Sequence, residues 1–203
     1  MTSVPDRSAC EPLGEASEQE LVEAASAGDL RAFETLVRRY QERIHAVVAR
    51  MVDDREVAEE LTQDVFIRAY RSLHGFRHEA RFSTWLHRIA ANACLDYHGS
   101  RARREAREAR SLDAADGEMG GLASRDPRPD EVLEGAELET HFMRCLESLD
   151  PIYRQAFVLR HQEDTSYEEI AAILDISISN AKVRVHRARE TILSTMRALG
   201  HEV

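Results

Sequence analysis

The sequence lacks the features that mark membrane, secreted and metal-binding proteins. No stretch of its 203 residues approaches the about 20 apolar residues that a helix needs to cross a bilayer, and the polar N-terminus carries no apolar signal segment. The three cysteines, Cys10, Cys94 and Cys145, are far apart and odd in number, which excludes a disulfide framework and a C-x-x-C metal site. We therefore expect a cytoplasmic protein with no cofactor and no metal.

The signatures of common enzymes are missing too. The sequence has no glycine-rich phosphate loop, no H-E-x-x-H and no nucleophile elbow. Glycine and aromatic residues are scarce, whereas Ala, Arg, Glu and Leu are abundant, which favours helix. We expect a helical protein that is not an enzyme.

The net charge limits how the protein can bind nucleic acid. The formal net charge is -10 at pH 7, so phosphate repels the molecule as a whole. Any binding to DNA must therefore be local, or conditional on a partner.

Two helix starts lie close together near the C-terminus. Ser166 followed by Glu169 forms a capping box, and Ser177 is a second good N-cap only a few residues later. Apolar residues between them repeat at helical spacing. This pattern predicts two helices joined by a very short turn.

The second of these helices combines an apolar stripe with a cationic face. The stripe comprises Ile178, Ala181, Val185, Ala188 and Ile192. The other side carries Asn180, Lys182, Arg184, His186, Arg187 and Arg189. A short helix, a tight turn and a basic second helix predict a DNA-binding helix-turn-helix, whose second helix enters the major groove. The alternative is a solvated face on a structural helix, but the caps, the turn length and the local charge reversal favour DNA binding.

Helical periodicity falls into two blocks. Residues 1–16 lack this periodicity and are expected to be disordered. The first block, residues 17–107, is predicted to contain four helices, and the second, residues 132–199, about four more. Residues 108–131 between them are predicted to be a flexible acidic linker rich in Gly and Pro. In the third helix the apolar set includes Val65, Ile67 and Ala69. The predicted fold class is all-α, with two small helical domains joined by the linker.

Aromatic residues and arginines are interleaved in the segment from 76 to 97. They include Phe76, Arg77, Arg81, Phe82, Trp85 and Arg88. This combination can hold unstacked bases while cations follow the backbone, although for Phe82 and Trp85 a core position is favoured. Asn92 lies among apolar residues on the same predicted helix, where its amide can read a base edge or be an exposed bystander.

Several stretches resemble one known family. The stretches DVFIRAYRSL at 64–73 and FSTWLHRIAAN at 82–92 resemble region 2 of bacterial sigma factors of the extracytoplasmic-function (ECF) group in the sigma-70 family. The stretches SYEEIA at 166–171 and KVRVHRAR at 182–189 resemble their region 4. The resemblance covers nearly everything from about residue 17 to residue 199, in the right order.

The resemblance implies a transcription initiation factor that binds core RNA polymerase and promoter DNA and is controlled by an anti-sigma factor. The positions implied for polymerase binding are Gln63, Asp64, Arg68 and Arg71. Region 2 of the family also melts the minus 10 element and captures a flipped base of the non-template strand. The positions implied for this site are Phe76, Arg77, His78, Glu79, Ala80, Arg81, Arg88, Asn92 and Asp96.

Region 4 of the family reads the minus 35 element in the major groove and packs on the polymerase flap. The matching reading positions are Lys182, Val183, His186 and Arg187. Val183 stands where a small polar residue is common and cannot hydrogen-bond, so we expect contact with a thymine methyl or shape readout there. Asp96 replaces a more usual amide.

Two other function classes fit parts of the sequence. A stand-alone helix-turn-helix regulator would bind a palindrome as a dimer, but it has no use for a single-strand site in its N-terminal half. A purely protein-binding helical adaptor leaves the cationic helix face unexplained.

Overall fold

The computed structural model describes residues 16–76, 80–112 and 134–200. Within these ranges the side chains of residues 107–112 and 134–137 are not described. The predicted site residues Arg77, His78 and Glu79, nearly all of the predicted N-terminal extension, and residues 113–131 of the predicted linker lie outside the described residues.

The described ranges contain eight α-helices and no strand, which confirms the predicted all-α class. The N-terminal domain holds α1 (Glu18–Ser26), α2 (Leu30–Met51), α3 (Arg55–Ser72) and α4 (Phe82–Leu112). A single 3-10 turn, Leu73–Gly75, follows α3. The C-terminal domain holds α5 (Glu134–Glu147), α6 (Pro151–Gln162), α7 (Tyr167–Leu174) and α8 (Ile178–Ala198).

Side-chain caps explain where most of these helices begin. Asp29 and Asp54 each accept hydrogen bonds from two main-chain amides in the first turns of α2 and α3. Asp150 caps α6, in which proline takes the first helical position. Gly28, with φ at +100°, makes the sharp turn between α1 and α2 that a side chain would oppose.

The apolar faces of the first four helices pack into one core. Leu36 and Ile44 of α2, Val65 of α3 and Leu86 of α4 are all at most 1% exposed. The C-terminal domain adds a second cluster around Leu146 of α5, in which α8 also takes part. The buried residues of these helices recur with the 3.6-residue period on which the sequence prediction was based.

The two domains also pack directly against each other. Apolar residues of α6, α7 and α8, among them Leu159, Ile170 and Val185, belong to the same buried cluster as the core of the N-terminal domain. Arg154 and Gln155 of α6 are each 2% exposed and bond to the other domain. The sequence indicated two domains with a linker but not this contact between them.

Candidate nucleic-acid interface

The predicted helix-turn-helix is present as α7 and α8. Ser166 Oγ accepts from the amide of Glu169 at 3.2 Å, and Glu169 Oε2 accepts from the amide of Ser166 at 3.1 Å, so the predicted capping box is confirmed. These bonds lower the pKa of Glu169 and keep its carboxylate charged. Asp175 ends α7 with φ at +52°, and Ser177 caps α8 two residues later. The turn is therefore very short and capped on both sides.

The inner face of α8 holds it in the domain. Its buried residues are Ala181, Val185, Ala188, Ile192 and Met196. Ile178 is 42% exposed, so its predicted place in the buried stripe was wrong. It is the first residue of α8, directly after the cap residue Ser177.

The outer face of α8 presents Lys182, Val183, His186 and Arg187, all exposed, which we call the reading face. Together with Glu190 these residues line a shallow cavity of about 320 Å³. Val183 is 44% exposed. The structure thus gathers four of the seven predicted minus 35 residues on one surface that no described helix covers.

Two tyrosines from other helices contact cations of the reading face. Arg187 Nη1 donates to Tyr153 Oη at 3.0 Å, and the ammonium of Lys182 lies 5.8 Å from the ring centre of Tyr167. Such contacts limit the conformations of long cationic side chains. Sequence reasoning missed both tyrosines, because partners on other helices leave no periodic signal.

The other three predicted residues of α8, Asn180, Arg184 and Arg189, lie at the edges of the reading face. Arg184 Nε donates to Asn180 Oδ1 at 3.2 Å, which ties these two predicted residues to each other. Arg189 lines a different groove, of about 620 Å³, formed by α5, α6 and α8 together with Arg50 of α2. His186 pairs with Glu190 along the helix, with 3.4 Å between Nδ1 and Oε2.

Of the predicted minus 10 residues that the structure describes, Phe76, Ala80 and Arg81 precede α4 and line one cavity, whereas Asn92 and Asp96 lie further along the helix. Asn92 lies ten residues after Phe82, or about 15 Å along the helix, and Asp96 lies one turn further. Phe82 is 3% exposed and Trp85 is half-buried, in agreement with the favoured core positions. Asn92 is exposed.

Two charged residues of this set already have protein partners. Arg88 Nη2 donates to the carbonyl oxygen of Ala172 in α7 at 2.5 Å. Asp96 Oδ2 accepts from Arg68 Nη1 at 3.1 Å, and Arg68 also pairs with Asp64 at 2.7 Å. These two ion pairs join Asp96, a predicted minus 10 residue, to Arg68 and Asp64, which are predicted polymerase contacts.

The outer face of α3 holds the predicted polymerase contacts. Gln63, Arg68 and Arg71 are exposed there. Ile67 and Tyr70 on the same face are 48% and 42% exposed, whereas Val65 and Ala69 of the same apolar set are buried. Two large apolar side chains among charges are typical of a protein-binding surface.

Comparison with known proteins identifies the family of this chain. The family described as Sigma-70 region 2 matches residues 36–104, and that described as Sigma-70, region 4 matches residues 141–192. The ECF RNA polymerase sigma-E factor of Escherichia coli K12 is 38% identical over 177 residues, which cover 87% of this chain and 92% of that protein. The chain belongs to the ECF group of the sigma-70 family.

Other relatives agree with this placement. The RNA polymerase sigma-H factor of Pseudomonas aeruginosa is 34% identical over 191 residues, covering 94% of this chain and 99% of that protein. The sigma factor RpoE from Bartonella quintana, solved in complex with the anti-sigma factor NepR, matches in fold with a TM-score of 0.61 at 24% identity, covering 83% of this chain and 98% of that chain. Membership in a family of transcription initiation factors favours that function over a stand-alone regulator.

The two family matches cover most of the described helices but not α1. The region 2 match begins within α2 and ends within α4, so α1 lies before it. The region 4 match begins within α5 and ends within α8. In the described parts of this sigma-70 family chain, no helix combines the length and the apolar character needed to cross a bilayer.

Proposed function

We propose that this chain binds core RNA polymerase in the cytoplasm and directs it to promoters, without a catalytic step of its own. In this proposal α8 reads the minus 35 duplex and the surface of α4 binds the minus 10 element as single strand. The reading face carries the proposal, because a capped helix-turn-helix presents exposed cations outward in a chain of net charge -10.

At the minus 35 element, Lys182, His186 and Arg187 supply hydrogen-bond donors to base edges or phosphates. Val183 supplies an apolar contact suited to a thymine methyl. Asn180, Arg184 and Arg189, at the margins of the reading face, are placed to meet the backbone rather than the bases.

At the minus 10 element, the predicted residues suit an extended strand. From Phe82 to Asp96 the surface of α4 runs for about 21 Å, which is long enough to contact several bases of a strand that is more extended than the about 3.4 Å per base of B-form DNA. Phe76, Ala80 and Arg81 lie at one end and Asn92 nearer the other. Asp96, paired with Arg68, acts in this proposal as a support for the polymerase-binding face.

Polymerase binding uses two surfaces in this proposal. The first is the outer face of α3, where Gln63, Asp64, Arg68 and Arg71 surround the exposed Ile67 and Tyr70. The second is the groove of about 620 Å³ between α5, α6 and α8, which is lined mainly by apolar side chains and suits the polymerase flap.

Simultaneous binding of both promoter elements requires the two domains to separate. Elements about 25 base pairs apart are about 85 Å apart on B-form DNA, whereas a folded chain of 203 residues has a radius of gyration of only about 17 Å. The 21 residues from 113 to 133 can span at most about 70 Å, which allows the domains to move far apart. We propose that polymerase binding, or release of an anti-sigma factor, accompanies this separation.

Run-off transcription tests the function directly. Purified bacterial core polymerase is mixed with the chain on the DNA just upstream of its own gene, because such factors frequently activate themselves. A transcript that requires both components supports the proposal, and Arg187→Ala should reduce it. DNA bound by the chain alone as a dimer, without any transcript, would instead support a stand-alone regulator.

A further inference from the structure

Lysine is almost absent from this chain. Lys182 is the only lysine in the 203 residues, so every other member of the 27 lysine and arginine residues is an arginine. Both residue types are cations at neutral pH, but only lysine, whose amine can lose its proton, is a target of acylation. The single lysine is exposed on the reading face.

The shallow cavity of the reading face surrounds this lysine with other functional groups. Lys182 lines its volume of about 320 Å³ together with Val183, His186, Arg187 and Glu190. This volume is at the lower end of the range of about 300–1,000 Å³ for ligand pockets. The cavity therefore suits a small molecule and not a large cofactor.

A histidine and a carboxylate follow the lysine along α8. Lys182, His186 and Glu190 recur at every fourth residue, which places them on one face of the helix. His186 Nδ1 lies 3.4 Å from Glu190 Oε2. This neighbour favours the tautomer with the proton on Nδ1, and Nε2 is then the nitrogen that accepts a proton. His186 can thus serve as a base for the amine, and Glu190 orients its ring.

Arg187 and Val183 suit the two ends of a short acyl phosphate. The guanidinium of Arg187 donates to Tyr153 Oη at 3.0 Å and lies 6.0 Å from the ring centre of Tyr153, which holds it in place. A guanidinium held in this way pairs well with a phosphate group. Val183 is 44% exposed and offers an apolar contact to the methyl group of a short acyl chain. Among the lining residues the cations Lys182 and Arg187 outnumber the single carboxylate, Glu190.

We propose that Lys182 is acylated by a short-chain acyl phosphate and that acylation weakens reading of the minus 35 element. His186 first takes one proton from the ammonium and releases it to water. The amine then attacks the acyl carbon, and the bond between that carbon and the bridging oxygen breaks. The electron pair leaves with the phosphate beside Arg187, and the phosphate takes up the second amine proton. The products are an N-acyl lysine and inorganic phosphate.

Acylation changes the charge of the reading face. It removes the positive charge of Lys182 and with it the attraction to the ring of Tyr167, whose centre lies 5.8 Å from the ammonium. This consequence rests on the proposed function, whereas the acylation itself does not. We expect the holoenzyme with the acylated chain to bind minus 35 duplexes about tenfold more weakly. The slope of its salt dependence should fall by about one, because one cation is lost.

The chemical step is tested on the full chain with an internal reference. Arg38→Lys introduces a second lysine at an exposed position of α2, outside the reading face. This variant is incubated with acetyl phosphate, and mass spectrometry follows acetylation at both positions. We expect Lys182 to react at least about tenfold faster than the introduced lysine, because a positioned base typically contributes about 10²–10⁴-fold. Equal rates at the two positions would overturn the inference and leave the proposed function untouched.

Substitutions on the Arg38→Lys background assign the role of each neighbour. His186→Gln should abolish the advantage of Lys182 over the introduced lysine, whereas the control His74→Gln, at another exposed position, should keep it. Arg187→Ala should abolish the advantage with acetyl phosphate but keep it with the N-hydroxysuccinimide ester of acetic acid, which has no phosphate. An equal loss with both reagents would contradict phosphate binding by Arg187. A greater advantage with acetyl-coenzyme A than with acetyl phosphate would overturn the assigned donor.

Run-off transcription tests the consequence for the reading face. The chain is treated with acetyl phosphate, freed of the reagent and then mixed with core polymerase. Treatment should lower the transcript of the wild type about tenfold, whereas Lys182→Arg, which keeps the charge and cannot be acylated, should not respond to it. Selective acetylation of Lys182 without any change in transcription would overturn its regulatory role. If the untreated wild type makes no transcript, the proposed function itself fails, and the rates of acetylation decide the chemical step independently.

Discussion

The guanidinium of Arg154 donates from Nη2 to the carbonyl oxygen of Val52, 102 positions earlier in the chain, at 3.1 Å. Its Nε donates to the carbonyl oxygen of Arg50 at 2.6 Å, and Nη1 pairs with Asp53. The last carbonyls of a helix lack partners within it and carry partial negative charge. A buried arginine of the C-terminal domain therefore caps the end of α2 and joins the two domains.

We expect Arg154→Ala to lower the free energy of unfolding by about 3 kcal/mol, because the carbonyls of Arg50 and Val52 lose this donor and Asp53 keeps only Arg101 as an ion-pair partner. The melting temperature should fall by about 6–12 °C for a chain of this size. Thermal unfolding followed by circular dichroism measures this change. Arg38→Ala, on the exposed face of α2, should change stability by less than about 0.5 kcal/mol. An equal effect of both substitutions would contradict the assigned role of Arg154.

We expect acid to weaken the same domain contact through His87. Its Nδ1 lies 2.7 Å from the carbonyl oxygen of Ser83, and its Nε2 lies 3.5 Å from Glu163 Oε2. Burial lowers the pKa of His87 below its ordinary 6.5, Glu163 opposes this shift, and Arg43 adds to it. The unfolded chain then takes up a proton near pH 6.5 that the folded chain does not. The free energy of unfolding should therefore be highest above pH 6.5 and fall as the pH drops below it.

Thermal unfolding of His87→Phe between pH 7 and pH 5 checks this prediction. The variant should lose stability less steeply with falling pH than the wild type does. Burial and the nearby Arg160 and Arg189 also lower the pKa of His161, so part of the slope should remain. The control His74→Phe, at an exposed position, should keep the wild-type dependence of stability on pH. If His87→Phe also kept that dependence, the prediction would be wrong.

The elements that local chemistry determines were predictable from the sequence. The capping box of Ser166 and Glu169, the second cap at Ser177 and the buried stripe of α8 all depend on spacings within a few residues. These spacings fix where a helix starts and which side it buries. The reading face follows from them, because it is the side that the stripe leaves outside.

The features that depend on distant residues were not predictable in the same way. From the sequence alone Arg154 would be predicted to be an exposed cation, because arginine is rarely buried. Its hydrogen-bond partners lie about 100 positions earlier in the chain. Ile67 stands among the apolar residues of α3 in the sequence, and nothing in α3 alone shows that its face stays uncovered. Tyr153 comes to lie beside Arg187 only when α6 packs against α8.

We expect Tyr153→Phe to weaken recognition of the minus 35 element about threefold to tenfold, because Arg187 loses the acceptor that positions its guanidinium. Holoenzyme binding to minus 35 duplexes of matched and scrambled sequence measures this loss. The dependence on salt should stay the same, since no phosphate contact is removed. Tyr167→Phe keeps the ring under Lys182 and should bind like the wild type. A flatter salt dependence in Tyr153→Phe would contradict a positioning role.

We expect Asn92→Ala to reduce open-complex formation about tenfold while polymerase binding stays unchanged. Asn92 is exposed on α4 and its amide can pair with a base edge, whereas the polymerase contacts lie on α3. Permanganate footprinting of melted promoter DNA measures the first quantity, and co-elution with core polymerase measures the second. Loss of both together would mean that Asn92 is structural.

We expect Val183 to contact a thymine methyl group in the minus 35 element. Its side chain is 44% exposed on the reading face and offers no hydrogen bond, so apolar contact is the interaction left to it. Replacing each minus 35 thymine by uracil in turn removes one methyl group at a time. At one position this change should weaken holoenzyme binding about fourfold, the value of one buried methyl group. Val183→Ala should already be weaker and should not respond to the same uracil, whereas Val183→Thr, which keeps one methyl, should respond in part. If no uracil substitution affects the wild type, then Val183 acts through the shape of the groove, and the thymine contact is wrong.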